Sequence, residues 1–340
     1  MQGPTVLAVD MMGGDHGLKV TVDAALLSLA AAPDLRLLLV GDAAAIRKAL
    51  SSADAEQQAR CEIVAASEVV AMDELPSKAL RGKKDSSMRV AINLVKDGRA
   101  QGAVSAGNTG ALMAIAKFVL KTLPGIDRPA ICAPMPSSKG RPYMLDLGAN
   151  AECTPEQLGQ FAVMGSALVT ALHEIERPRV ALLNIGSEEI KGHEDIRAAA
   201  ALLQKSGLNY TGFIEGDGIF SGAADVVVCD GFIGNISLKT GEGVAKLIRD
   251  FMKAEFLASP LSKLAALIAK PVLTRLAARI DPRNYNGAAL LGLNGLVIKS
   301  HGGADAASLA NAIAVAVQAV EHDLIGRTRR QIAASSVSHA

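Results

Sequence analysis

The sequence contains no tryptophan, and aromatic residues make up only 3% of its 340 residues. A core must therefore be packed from Ala, Leu, Val and Ile, and the stacked aromatic platforms of single-strand nucleic-acid binders are not available in number. An excess of charge of one sign is missing too. The formal net charge is +1, with 35 Lys and Arg against 34 Asp and Glu. That excludes a globally basic nucleic-acid binder and leaves only local patches. No apolar run reaches the ~18 residues that span a bilayer, and no basic region followed by an apolar signal core opens the chain. The four cysteines, Cys61, Cys132, Cys153 and Cys229, are far apart and form no CxxC pair. A zinc cage is not expected from them, and a reducing cytoplasm fits their usage.

Familiar catalytic signatures are absent as well. The sequence has no GxxxxGKS/T phosphate loop, no HExxH and no GxSxG nucleophile elbow. The run Gly216-x-Gly218-x-x-x-Gly222 has the wrong final spacing for a dinucleotide site and precedes a strand. Asp10, Asp15 and His16 lack a supporting ligand pattern among the other histidines. They predict a hydrogen-bonded structural histidine, no metal and no cofactor.

What is present is alternation. Apolar strand-like runs such as TVLAVD (5–10), RLLLVG (36–41), CEIVAA (61–66), GAVSAG (102–107), RVALLNIG (179–186) and ADVVVCDG (224–231) are separated by helical segments. Continuous apolar strands alternating with helices predict an α/β fold: a three-layer α/β/α arrangement around a largely parallel sheet. Thr154, Pro155 and Gln157 predict a capped helix start. Residues 1–326 read as one domain, and 327–340 as a flexible tail. LSKLAALIAK and PVLTRLAARI, each begun after or at a proline (Pro260, Pro271), carry no acid. They predict two helices back to back, a hairpin projecting at about 245–285.

Ligands of parallel α/β sheets bind beyond the carboxyl ends of strands, where helix N-termini present backbone N–H groups. The strand exits here are rich in Gly, Asn, Ser and Thr. They supply the candidate phosphate-binding residues Asp10, Gly13, Gly14, Asp15, Asn108, Thr109, Asn150, Ser187 and Lys239. Many such turns meeting in one pocket would form an anion-friendly floor. With no evident protein nucleophile, one chemistry fits: the bound anion attacks. Phosphate is substantially ionised at neutral pH and needs orientation more than deprotonation. Lys191 is a candidate for charge on phosphate, Asn235 for orienting it or donating to the oxyanion, and His16 for the proton of a leaving thiol.

Six blocks in order resemble the bacterial PlsX-type phosphate acyltransferases: AVDMMGGDHG, SAGNTGALM, GIDRPA, LLNIGSEEIKGHE, DVVVCDGFIGNISLKT and YNGAALLGLNGLVIKSHG. The likeness runs from about Thr5 to about Leu324. Met11 stands where Ala is more usual, and Gly17-Leu18 where Ala-Pro is. The resemblance implies transfer of an acyl group from acyl carrier protein to inorganic phosphate, giving acyl-phosphate for a membrane glycerol-3-phosphate acyltransferase. It also implies a homodimer, with a fold related to phosphotransacetylases and to isocitrate and isopropylmalate dehydrogenases. The family's lysine and asparagine map onto Lys191 and Asn235. Acyl carrier proteins are acidic, so Arg81, Lys83 and Lys84 are candidates for docking. Lys263, Lys270 and Arg275 in the acid-free hairpin suit a partner, a dimer contact or reversible peripheral membrane contact. Competing readings are a phosphotransacetylase-like enzyme using short acyl-CoA, a nicotinamide-dependent dehydrogenase, and a non-catalytic membrane-surface scaffold.

Overall fold

A computed structural model describes residues 3–280 and 282–335. The chain begins with β1 (Thr5–Asp10), α1 (Gly17–Ala31), β2 (Leu35–Gly41), α2 (Ala43–Leu50), α3 (Ala55–Ala59) and β3 (Cys61–Ala65). It continues through α4 (Pro76–Gly82), α5 (Ser87–Lys96), β4 (Gly102–Ser105), α6 (Thr109–Leu120), β5 (Ala130–Pro134) and β6 (Tyr143–Leu145). Next come α7 (Pro155–His173), β7 (Arg179–Leu183), α8 (Glu194–Gln204), β8 (Asn209–Ile214), α9 (Gly218–Ser221), β9 (Val226–Val228) and α10 (Gly231–Leu257). The last part is α11 (Pro260–Ile280), a short 3₁₀ turn at Pro282–Tyr285, β10 (Ala288–Leu291), β11 (Leu296–Lys299), α12 (Ala306–Glu321) and α13 (Leu324–Ala334).

Local chemistry sets many of these boundaries. Asp42 caps α2 by accepting from the N–H groups of Ala44 and Ala45. Thr154 and Gln157 form the expected capping box at the start of α7, with Pro155 in the first turn. The eleven strands form one sheet in the order β3-β2-β1-β4-β11-β10-β5-β6-β9-β7-β8. Side chains alternate between its faces. Leu7 and Val9 enter the core shared with α1, α7, α8 and α12, whereas Ala8 joins α5 on the other face. The expected α/β/α layering therefore holds.

The sheet is not parallel throughout. β10 runs antiparallel to both β11 and β5, and β5 runs antiparallel to β6. β1, β2, β3, β4 and β11 form one parallel block, and β6, β7, β8 and β9 form another. These three antiparallel pairings reverse the direction an odd number of times, so the two blocks point in opposite directions.

Two sequence expectations change. Pro271 does not separate two helices; it lies inside α11. Its missing N–H frees a carbonyl one turn back, at Leu267, whose side chain is exposed. The hairpin is therefore α10 against α11, and the side chains of Arg279 and Ile280 lie outside the described ones. The expected tail from 327 is helical as far as Ala334. α13 packs on α7, with Thr328 and Ile332 buried. Residues 336–340 lie outside the described part.

Candidate functional site

At the carboxyl ends of β1, β4 and β11, three turns interlock. Asp10 is buried; its Oδ1 accepts from the N–H groups of Met12 and Gly13, and its Oδ2 accepts from the Ser105 hydroxyl at 2.7 Å. A Cβ on Gly13 would come within 2.6 Å of Asp10 Oδ2 and 2.8 Å of the Gly107 nitrogen, so no side chain fits there. Gly14, at φ 98°, lies against Ala106 and the carbonyl of Gly302, and Asp15 N–H donates to that same carbonyl. A small hollow is lined by Gly13, Gly14, His16, Ala106 and Gly302. His16 is exposed and caps nothing at the start of α1. The expected structural hydrogen bond of this histidine is thus replaced by an open imidazole.

Asn108 is committed to the fold. Its Oδ1 caps α6 through Ala111 N–H, and its Nδ2 donates to the carbonyls of Met72 and Glu74. No donor remains on that amide for a ligand, a correction to its expected role. Thr109, the next residue, is exposed at the helix start.

A second group forms at the carboxyl ends of β6, β9 and β7. Asp146 is buried, and burial pushes its carboxyl up against the pull of its N–H partners. Those partners are Ile131, Gly148, Ala149 and Asn150 backbone N–H groups and the Asn150 amide. Asn150 Nδ2 also donates to the Pro129 carbonyl, so this side chain too holds the turn rather than a ligand. Asn235 is exposed one turn into α10, beside Gly148. Lys191 and Ser187 are exposed on the loop after β7, whose shape is fixed by the Asn184 amide donating to the Lys191 carbonyl. Ile185 and Ile190, on the same loop, are 79% and 81% exposed.

The expected single pocket is therefore divided. The two parallel blocks point oppositely, so the exits of β1, β4 and β11 lie on one edge and those of β6, β9 and β7 on the other. Within one chain His16 and Lys191 follow strands of oppositely directed blocks. Between β11 and β7 lie four strands, a lateral separation of ~24 Å at ~4.8 Å per step.

One element joins the edges. α10 starts beyond β9, with its N-terminus capped by Asp230, and Gly234 packs directly on the Asp146 carbonyl. Two turns on, Gly241 lies against the Phe220 ring, which precedes β9. β6 and β9 have three residues each, about 10 Å of strand, so the crossing is short. It carries Lys239, ion-paired with Glu242 at 2.8 Å, into electrostatic range of Lys299 at the first edge.

Lys299 is a further residue at the first edge, and its signal in the sequence is a cation closing an apolar strand. It is only 7% exposed. Burial lowers its pKa to about 8; nearby Asp10 and Asp15 oppose that shift and Lys239 adds to it.

The docking candidates lie elsewhere. Arg81 and Lys83 line a cavity of about 450 Å³ beside α4, together with Glu68 and Glu74. Lys83 Nζ is tied to the Val69 carbonyl, and Lys84 is exposed. Lys263, Lys270 and Arg275 are exposed on α11 among Leu261, Leu264, Leu267 and Ile268. Among the described residues, no helix is long and apolar enough to cross a membrane.

Comparison with known proteins adds the following. A family model described as fatty acid synthesis protein matches residues 5–327. A phosphate acyltransferase of Methylococcus capsulatus is 61% identical over 93% of this chain and 94% of that protein. One from Legionella pneumophila is 53% identical over 96% of each. Among solved structures, a phosphotransacetylase from Streptococcus pyogenes aligns with TM-score 0.62 at 19% identity, over 94% of each chain. A 4-hydroxythreonine-4-phosphate dehydrogenase from Klebsiella pneumoniae aligns with TM-score 0.51 at 17% identity, over 93% of this chain and 98% of that one. These two likenesses are of fold.

Proposed function

This chain belongs to the phosphate acyltransferase family, and on that premise we propose that it transfers a fatty acyl group from acyl carrier protein to inorganic phosphate. The product, acyl-phosphate, feeds phospholipid synthesis through a membrane glycerol-3-phosphate acyltransferase. The observation that carries this reading is the 61% identity to a phosphate acyltransferase over 93% of the chain.

The site chemistry supports direct attack by phosphate. None of the four cysteines is activated as a thiolate: burial pushes Cys61 up to about 11 and Cys153 up to about 12, and raises Cys132 and Cys229 as well. The Ser105 hydroxyl is buried and spent on Asp10. In the reaction, a phosphate oxygen forms a bond to the thioester carbon, the carbonyl oxygen becomes an oxyanion, and the C–S bond then breaks. The sulfur leaves with the bonding pair and takes up a proton.

We assign phosphate to the first edge, against the Gly13–Gly14 turn and Lys239, with Thr109 beside it. Asn235, on the crossing helix, donates to the oxyanion. His16 supplies the proton to sulfur. Lys191, with Ser187, reaches phosphate only from a second copy of the chain, because its own loop lies on the opposite edge. The homodimer is thereby part of the catalytic unit. Arg81 and Lys84 face the acidic carrier protein, and the hairpin gives reversible contact with a membrane surface.

Incubation with phosphate and either a long-chain acyl carrier protein or acetyl-CoA, with acyl-phosphate trapped by hydroxylamine, tests the reading. Hydroxamate that depends on both phosphate and protein, above that from direct reaction of the thioester with hydroxylamine, is expected from the carrier-protein substrate. Product from acetyl-CoA alone would replace this reading with the phosphotransacetylase one.

A further inference from the structure

We infer that Lys299 is a further phosphate-positioning residue, holding one oxygen of the bound anion through the ammonium N–H that its carbonyl partners leave open. The inference rests on the acyltransferase reading for the identity of the ligand, but its geometry stands by itself.

Lys299 ends β11, paired with Ser105 of β4 and Ala288 of β10. Two residues earlier, Val297 packs into the cluster shared with α6, so Lys299 emerges on the same face. Its Nζ donates to the carbonyls of Ala106 and Ser300. An ammonium group has three donors, and the third has no partner among the described residues. Among the described residues no carboxylate is hydrogen-bonded to it. Asp10, one of the two carboxylates acting on it, is already engaged by Met12, Gly13 and Ser105. Asp15 is exposed over Gly302.

Such an arrangement is unfavourable when empty. A buried ammonium without a bonded counter-ion loses hydration that two carbonyls only partly replace. Lys239, arriving on α10, adds a like charge rather than relieving it. A phosphate dianion between the two lysines reverses both terms: it completes the third hydrogen bond and turns the repulsion into two attractions.

The charged groups facing Lys299 are Asp10 from β1, Asp15 from the turn before α1 and Lys239 from α10. Together with burial they bring the free ammonium to about 8. Binding a dianion raises that value, so phosphate binding just above that pH draws a proton onto Lys299.

The test is calorimetry of inorganic phosphate with the full-length protein and Lys299→Met, in buffers of different ionisation enthalpy, alongside steady-state kinetics. The wild type is expected to take up a proton on binding phosphate near pH 8.5 and not near pH 6.5. The variant is expected to bind phosphate at least ~10-fold more weakly and to show no uptake. Its KM for phosphate should rise in parallel, its KM for acyl carrier protein should stay within about twofold, and its melting temperature should not fall. Unchanged phosphate affinity in the folded variant, or proton uptake retained in it, overturns the inference. If the variant does not fold, absence of proton uptake by the wild type at pH 8.5 overturns it and presence supports it. Binding and uptake are read without turnover. A protein that passes both yet makes no acyl-phosphate refutes the acyltransferase reading and leaves this inference standing.

Discussion

Ser105 donates its hydroxyl to Oδ2 of Asp10 at 2.7 Å, tying the end of β4 to the end of β1. The same hydroxyl oxygen accepts from Gly107 N–H, so one buried side chain fixes two of the three turns at the first edge. Ser105→Ala leaves a buried carboxylate oxygen and a backbone donor without partners. The expected loss is about 2–3 kcal/mol of stability in urea unfolding, with KM for phosphate rising because the Gly13–Gly14 turn loosens. Stability within 0.5 kcal/mol of wild type, taken as roughly the scatter of surface changes, would show that the tie is dispensable.

Two glycines of the same turn should behave differently. Gly13→Ala drives a methyl into Asp10 Oδ2 and the Gly107 backbone, whereas Gly17, at φ 66°, opens onto free space. Gly17→Ala should cost about 1 kcal/mol from its left-handed backbone alone. Gly13→Ala should cost about 2–3 kcal/mol through overpacking and nearly all turnover. Circular-dichroism melts and the hydroxamate assay check both. Equal effects from the two variants would contradict the steric account.

Opposite edges for Lys191 and Lys239 make a prediction about mixed dimers. Lys191→Ala and Lys239→Ala should each be nearly inactive as pure proteins. Unfolded together and refolded one to one, they should regain about a quarter of wild-type turnover, since half of the dimers carry one intact site of two. No recovery would place both lysines in the site of a single chain or remove one of them from it.

The stability of the protein should carry the signature of Lys299. Its folded pKa of about 8 lies below the ordinary 10.5, so between those values the unfolded chain binds more protons than the folded one. This lysine's contribution to stability therefore rises as pH rises through that window. The difference between those two values corresponds to about 3 kcal/mol. The gap in unfolding free energy between wild type and Lys299→Met should move by that amount in favour of wild type from pH 7.5 to pH 10.5. A pH-independent gap would mean that the ammonium is not desolvated.

The hairpin should bind vesicles independently of the chemistry. Leu264 and Ile268 are exposed one turn apart on α11. Leu264→Glu with Ile268→Glu should reduce co-sedimentation with anionic vesicles at least ~10-fold while leaving turnover of soluble acyl carrier protein unchanged. Loss of turnover with vesicle binding intact would make the hairpin part of the acyl-binding surface instead.

Much of the local architecture is written in short stretches of chain. The Thr154–Gln157 capping box, the apolar strands and the glycines of the first turn each depend on residues within a few positions, where sterics and hydrogen bonding are local. The family, too, is carried by linear motifs. One projecting arm is legible as the acid-free run of α11, but the other is α10, which carries Glu242, Asp250 and Glu255, and Pro271 marks no break because a proline on a solvated helix can be tolerated.

The tertiary structure alone decided which turns meet. β5 and β10, brief runs bounded by Pro or Gly, do not stand out in the alternation, yet they are the strands that invert the sheet. Strand direction is a property of pairing between segments far apart in sequence, and a parallel block reads identically whichever way it points. Hence Asp10, Gly13 and Gly14 share the strand-exit signature of Lys191 in the sequence but follow a strand of the oppositely directed block in space. Lys299 is legible in the sequence as a cation closing an apolar strand, but that its charge is stripped of water is an effect of packing, decided by tertiary structure.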